Sequence, residues 1–271
     1  MSYRYACVLE THAKGFCDCW CVCRWSTCNS DSVKHGGLFF GELKELSVKD
    51  LGTVSKFLGM RIDYDDGKGN NIDQEVTIPE MLHNDGLEEA SGARTPIGED
   101  SSYFQDESVK LSDKHRDGAF TIKRFQSLVG SLLWCSRPDI SCTVHGVSRQ
   151  THSPTLGDYK IAKRIARYLQ GTKTIRLKMK GDLSGPDGIK IVGYSDADFA
   201  ADRTDRKSIT GGWITVDEMP VSWMAKKQGG VSLSTMEAEY TAASVVVDAW
   251  STWITSRDWV EMRRTYDLIC G

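Results

Sequence analysis

The sequence contains no run of apolar residues approaching the ~18 that a membrane-crossing helix needs, and Met1-Ser2-Tyr3-Arg4 opens no continuous apolar stretch ahead of a small-residue cleavage site. A membrane span and a secretory leader are therefore not expected. The chain also lacks an excess of charge of one sign. Its 34 basic and 37 acidic residues leave a formal charge of -3, so any nucleic-acid contact has to come from locally clustered cations. Cysteine is scarce after residue 28, because six of the nine (Cys7, Cys17, Cys19, Cys21, Cys23 and Cys28) precede it. Their C-x-C alternation is not the C-x2-4-C spacing of common structural zinc sites, and no His pair follows nearby. A disulfide framework needs an oxidising compartment that nothing else in the sequence supports. Residues 1–37 therefore read as a poorly ordered, Cys-rich leader unrelated to the fold. No histidine follows His152.

What is present is ordinary for a globular protein: 40% hydrophobic and 26% charged residues in a chain of 271, enough for one large or two modest domains. From Leu38 to Ile62 the text reads as a short apolar hairpin partner. Asp65 to Asn71 then reads as a turn, since Asp-Gly and Gly-Asn tolerate positive φ. A strand and a short helix with Met81 and Leu82 follow, and residues 91–117 read as a polar connection. Three helices come next. The first carries Phe125, Leu128, Val129, Leu132 and Leu133 and stops before Pro138. The second begins with Asp139 as its cap. The third runs from Ser153-Pro154 to Gly171, a residue suited to a left-handed turn. On that third helix Tyr159, Ala162, Ile165, Ala166 and Leu169 share one side, and Lys160, Lys163, Arg164 and Arg167 the other. The basic side either tracks phosphates or merely solvates the outer face.

From Ile189 the rhythm changes to strands, with a helix from Ser234, which argues for a mixed sheet carrying helices. Two acidic clusters stand out there. In Glu237-Ala238-Glu239, Ser234-Thr235-Met236-Glu237 fits a capping box and explains Glu237. Glu239 lies at the margin of an apolar stripe of Ala238, Ala242, Val245, Ala249 and Trp253. In Asp196-Ala197-Asp198, Asp196 ranks first, above Asp198 and the loop residue Asp202. If the strand bearing Asp196 lies beneath Glu239, the two acids can share Mg2+, which prefers hard oxygen ligands and keeps several waters. Arg203, Arg206 and Lys207 either neutralise the loop acids or touch a phosphate.

These residues resemble copia-type retrotransposon polyproteins. Gly193-Tyr194-Ser195-Asp196-Ala197-Asp198-Phe199-Ala200, Asp205 to Gly212, Val221 to Gln228 and Leu233 to Tyr240 are similar, in order, to the family's ribonuclease H. Val48 to Gly52, Phe57 to Met60, Ser127 to Trp134, Arg137 to Ile140 and Ala162 to Thr172 resemble the end of its reverse transcriptase. The resemblance covers roughly Leu38 to Trp253. It implies an α+β protein in which a helical reverse-transcriptase tail precedes a truncated ribonuclease H-like domain with a mixed sheet. The expected bounds are 38–100 for the end of the palm-like region, 101–180 for a thumb- or connection-like helical region, and 188–271 for the ribonuclease H-like part. It also implies Asp196 and Glu239 as catalytic metal ligands for Mg2+ or Mn2+, an RNA–DNA hybrid or template-primer as partner, and an intracellular setting. The family needs a further strand aspartate in a D-N or D-S context, which neither Asp258 nor Asp267 has. Its Y-x-D-D site lies upstream of Val48, so Tyr64-Asp65-Asp66 is read as hairpin. The expectation is a chain of this family with little catalysis of its own. Hybrid binding without cleavage through Lys160, Lys163, Arg164 and Arg167, or recruitment as an interaction protein such as a secreted pathogen effector, remain alternatives.

Overall fold

The computed structural model describes residues 17–22, 25–30, 55–65, 69–98, 109–112, 121–179, 189–202, 204–255 and 264–270. The chain divides into two compact units, Met1–Phe57 and Leu58–Gly271. In the first, β1 (Cys17–Val22) and β2 (Trp25–Ser30) pair antiparallel, with Cys19 opposite Cys28. The described part of the leader is thus a hairpin. Cysteine alternation has the period of a strand. The two-residue strand β3 (Lys56–Phe57) ends this unit, and the apolar segment expected from residue 38 lies largely outside the described residues.

The second unit opens with β4 (Met60–Asp65) antiparallel to β5 (Gly69–Asp73), Asp65 facing Gly69. The turn is tighter than the sequence suggests: Gly69, Asn70 and Asn71 already belong to the returning strand, with Gly69 at φ +102°, a backbone that only glycine adopts without cost. Helix α1 (Thr77–Asn84) follows. Then come α2 (Ile122–Leu133), α3 (Pro138–Ser148) and α4 (Leu156–Gly171). Strand β6 (Leu177–Met179) returns to pair with β5. One apolar core joins the helices. Phe125, Leu128, Val129 and Leu132 from α2, Ile140, Val144 and Val147 from α3, and Tyr159, Ile165 and Leu169 from α4 are buried together with Ile78 and Leu82 of α1.

The helix ends correct two details. Asp139 does not cap α3. Arg137 is its N-cap and Pro138 fills the first turn, where the missing N–H costs nothing. Gly171 is the last residue of α4 and is not among the residues of positive φ. The close approach there requires glycine at Gly92, where a Cβ would stand 3.1 Å from the Gly171 Cα, whereas a Cβ on Gly171 would meet its neighbours at an ordinary 3.6 and 3.7 Å. The start of α4 is held by a full capping box between Thr155 and Asp158.

The larger sheet has the order β10-β7-β8-β9, built from β7 (Ile189–Asp198), β8 (Ile209–Val216), β9 (Met219–Lys227) and β10 (Arg264–Cys270). β7, β8 and β9 are antiparallel, and β10 runs parallel to β7. The sheet is therefore mixed and the fold class α+β, as the pattern of strands and helices requires. Helix α5 (Thr235–Thr255) packs on β7 and β8. It does so through Ala238, Ala242 and Val246, all fully buried. The expected stripe slips by one residue at its third member, from Val245, which is half-buried, to Val246, so the contact with the sheet advances in two steps of four. Close contact is secured at Gly212, where a Cβ would come within 2.8 Å of Val246 and Met224. Among the described residues no helix is long and apolar enough to cross a membrane.

Candidate functional site

The site begins with the period of β7. Asp217 N–H donates to the Lys190 carbonyl at 2.8 Å, and Lys190 N–H donates to Asp217 Oδ1 at 2.9 Å, so the peptide groups of Lys190 point toward β8. Successive residues in a strand alternate in this respect. Ser195 and Ala197 therefore aim theirs at the other edge, where β10 pairs as far as Cys270 beside Ser195. The next N–H along that edge belongs to Ala197. Glu239 of α5 accepts it through Oε1 at 3.1 Å, so a carboxylate stands where a strand would otherwise continue the ladder. Its second oxygen, Oε2, is buried with no hydrogen-bond partner. Leaving a buried charged acceptor unsatisfied costs at least about 1–3 kcal/mol.

Side chains along β7 alternate as well. Ser195 and Ala197 are buried, Ala197 against Ala238 and Ala242, whereas Asp196 and Asp198 are exposed. Asp196 thus projects from the sheet face opposite α5, while Glu239 reaches the same strand edge from the α5 side. The two acids flank one peptide group from the two sides of the sheet. Hard oxygen donors with an orphaned oxygen among them suit a cation that retains waters. No set of three His, Cys, Asp or Glu side chains able to hold a metal occurs among the described residues. Asp267 stands opposite Val192, which at ~3.3 Å per residue puts it roughly 13 Å along the strand from Asp196. It cannot join the pair.

At the helix start, Ser234 Oγ accepts from Glu237 N–H as a capping box requires. The return bond is displaced by one residue: Glu237 Oε2 accepts from Leu233 N–H at 2.7 Å. Glu237 is occupied in shaping the helix entry, which leaves Glu239 as the acid facing the strand.

The basic side of α4 is largely engaged with the polar segment that follows α1. Arg164 donates from Nε to the Thr95 carbonyl at 3.2 Å and from Nη2 to Thr95 Oγ1 at 3.0 Å. Arg167 donates from Nε to the Ser91 carbonyl at 2.8 Å. The Lys163 ammonium sits 5.1 Å from the centre of the Tyr159 ring, and burial lowers its pKa, helped by Arg124. Lys160 and Arg167 are exposed. The arginines thus tie down residues 91–97, a use that the spacing alone does not reveal.

Over 214 residues the chain is 35% identical to the Retrovirus-related Pol polyprotein from transposon TNT 1-94 of Nicotiana tabacum, covering 74% of this chain and 15% of that relative. This chain belongs to the copia-type retrotransposon Pol polyprotein family. The copia-type chain is also 32% identical over 226 residues to an uncharacterized mitochondrial protein of Arabidopsis thaliana, covering 82% of the chain and 88% of the relative. Over 136 residues it is 35% identical to the Secreted RxLR effector protein 161 of Plasmopara viticola, which covers 49% of the chain and 92% of the effector. No family model and no solved structure matches.

Two clusters of the copia-type chain escape sequence reading. The first closes the segment Arg137-Pro138-Asp139-Ile140. Arg137, 4% exposed, donates from Nε and Nη2 to the two oxygens of Asp139 at 2.9 and 2.7 Å, and from Nη1 to the Thr172 carbonyl at 2.8 Å. The Tyr168 hydroxyl donates to Asp139 at 2.7 Å. Burial pushes the Asp139 carboxyl up, but these bonds carry it below its ordinary value. The second cluster concerns the loop acids. Asp202 pairs with Lys227 at 2.6 Å and Arg149 at 3.0 Å, and Asp205 pairs with Lys227 at 2.8 Å. The ion-pair partners come from β9 and from beyond α3, not from the adjacent Arg206 and Lys207. The Lys227 ammonium holds the Asp202 carboxyl down at about 2.

Proposed function

We propose that the second unit is the end of a reverse transcriptase joined to the carboxylate-bearing part of a ribonuclease H, and that it binds RNA–DNA hybrid and Mg2+ with little cleavage of its own. The observation that carries this reading is Glu239. Its Oε1 is held by Ala197 N–H, and its buried Oε2 lacks a donor beside the strand that presents Asp196. Asp196 and Glu239 are the metal ligands in this reading, with waters completing the shell. Bound there, Mg2+ or Mn2+ supplies Lewis acidity to a phosphate oxygen. Asp196 and Glu239 position the ion, and Lys160, Lys163, Arg164 and Arg167 supply cationic surface for phosphates. With two carboxylates rather than a fuller set, the electrostatic stabilisation that phosphoryl chemistry needs is incomplete.

The test is incubation of a labelled RNA–DNA hybrid with the full chain in Mg2+ or Mn2+, alongside Asp196→Asn and Glu239→Gln. The expected result is salt-sensitive binding without cleavage above the metal-only background, together with a Mg2+-dependent rise in melting temperature that both variants lose. A rise that survives in both variants would remove the metal assignment. Robust cleavage lost in both would show that another carboxylate completes the site. Charge reversal at Lys160 and Lys163 is expected to reduce hybrid binding and its salt slope.

A second reading rests on the likeness to the secreted effector: the copia-type unit has been recruited as an exported interaction protein. It predicts processed chain outside the producing cell, detected by mass spectrometry of secreted material. Detection only inside cells, in an intracellular setting, counts against it.

A further inference from the structure

A hydroxyl residue precedes proline at two places in the chain, Thr95-Pro96 and Ser153-Pro154. Proline disfavours helical backbone in the residue before it, which suits both hydroxyls to the extended form in which a protein kinase takes its substrate. The fold separates the two. Pro154 is buried, its carbonyl accepts from Leu111 N–H at 2.9 Å, and Ser153 leads directly into the capping box of α4. Thr95 is exposed, in a stretch from 91 to 98 that is neither helix nor strand. Irregular surface chain of this kind is where enzymes that modify proteins gain access.

The hydroxyl of Thr95 already faces a cation. Arg164 donates to Thr95 twice, from Nε to the carbonyl at 3.2 Å and from Nη2 to Oγ1 at 3.0 Å, while the hydroxyl itself donates to the Ile97 carbonyl at 2.6 Å. Modification gives up that last, local bond and leaves Oγ1 beside the guanidinium. A phosphate on this oxygen carries a charge of about -1.5 to -2 at pH 7 with three strong acceptor oxygens, and the planar fork of arginine binds phosphate through two parallel bonds. Lys160, one turn earlier on the same side of α4, adds positive charge. The neighbouring chain is held on α4 independently of Thr95: Arg167 donates to the Ser91 carbonyl at 2.8 Å and accepts from Ala93 N–H at 3.1 Å, and Gln170 donates to the Glu88 carbonyl at 2.8 Å. The phosphate is therefore made in place, with no loop to be carried to the arginine.

We propose that Thr95 is a phosphorylation site for a proline-directed protein kinase, with Arg164 as the cation that receives the phosphate. The γ-phosphoryl group of ATP passes to Oγ1: the P–O bond to ADP breaks, a P–O bond to Oγ1 forms, and the hydroxyl proton goes to the kinase's catalytic aspartate. The product fastens residues 91–97 to α4 by a charge-assisted pair in place of a neutral acceptor. The same guanidinium belongs to the basic side assigned above to nucleic-acid phosphates, so the modification and a bound hybrid compete for Arg164. The modification site itself does not rest on that reading.

The experiment incubates the folded full chain with ATP and a proline-directed protein kinase, maps the phosphate by tandem mass spectrometry, and follows its 31P signal against pH. Thr95 is expected to be modified at least about tenfold faster than Ser153, and Thr95→Val to lose that modification. The second ionisation of a free phosphothreonine lies near about pH 6, and in the wild-type chain it is expected roughly 1 unit lower, because a cation within hydrogen-bond reach favours the dianion. Arg164→Gln is expected to be modified at Thr95 all the same and to return most of that shift. If this variant loses its fold, Arg164→Lys replaces it, keeping the charge without the fork, and is expected to return about half. No phosphate at Thr95, or a preference for Ser153, would overturn the site. A phosphate that titrates at its ordinary value in wild type, or one shifted equally in the arginine variants, would overturn the role of Arg164.

Discussion

The helical core and the carboxylate end of the sheet are built from opposite materials. Beneath α2, α3 and α4 lie large side chains, Phe125, Tyr159, Leu128, Ile165 and Leu169 among them, and the polar groups that enter this core are paired, Arg137 with Asp139 and Thr172 above all. Beneath Glu239 lie three alanines, Ala197, Ala238 and Ala242, and a carboxylate oxygen with no partner. Large apolar volume stabilises a fold, while small residues let a strand and a helix approach closely enough for one acid to reach a backbone N–H. Stability is concentrated in the first region. The second keeps an unsatisfied charge, which is where function has a use for one.

Substitutions can break this contrast in decreasing steps. The largest effect belongs to Phe125→Ala, fully buried beside Tyr159, which is expected to cost about 4 kcal/mol in urea unfolding through lost transfer energy and a cavity. Arg137→Ala strands Asp139 and the Thr172 carbonyl and is expected to cost about 3 kcal/mol. Its signature is a Tyr168 hydroxyl deprived of its ordered acceptor, visible in the tyrosine near-ultraviolet spectrum.

The ion pairs of Asp202 give a smaller effect with a definite pH window. Its folded pKa, about 2 against an ordinary 3.8, is depressed. The contribution is therefore present above about pH 4 and is lost as pH falls toward 2. Allowing for solvent around the lysine, it is about 1 kcal/mol. Asp202→Asn should be less stable than wild type at pH 7 and equal to it near pH 2, and parallel acid limbs of the two proteins would contradict the pairing.

The smallest change has the opposite sign. Glu239→Gln keeps an acceptor for Ala197 N–H and removes a buried charge without a donor, so a gain of about 0.5 kcal/mol is expected in metal-free urea unfolding. A loss instead would mean that the charge itself is satisfied, and the contrast between the two regions would fall.

Much of this was legible along the chain. The periods of the helices from Ile122 to Gly171, the strands after Ile189 and the helix entry at Ser234 follow from local pattern, because each depends on neighbours within one turn or one hairpin. Glu239 could be singled out against Glu237 because the capping role is also local. Other features could not be read this way. The engagement of Arg164 and Arg167 by residues 91–97, the partners of Asp202 at Lys227 and Arg149, and the burial of Arg137 against Thr172 all join positions far apart in the chain.

By itself the sequence determined the kinds of elements, the fold class and the membership in a copia-type family, since hydrophobic period and motif order are properties of consecutive residues. Only the tertiary structure decided which charges are occupied. Whether a carboxylate meets a lysine, a backbone N–H or nothing depends on which distant element packs beside it, and Glu239 is left with one oxygen bound and one bare because β10 pairs β7 as far as Ser195 and α5 lies against β7.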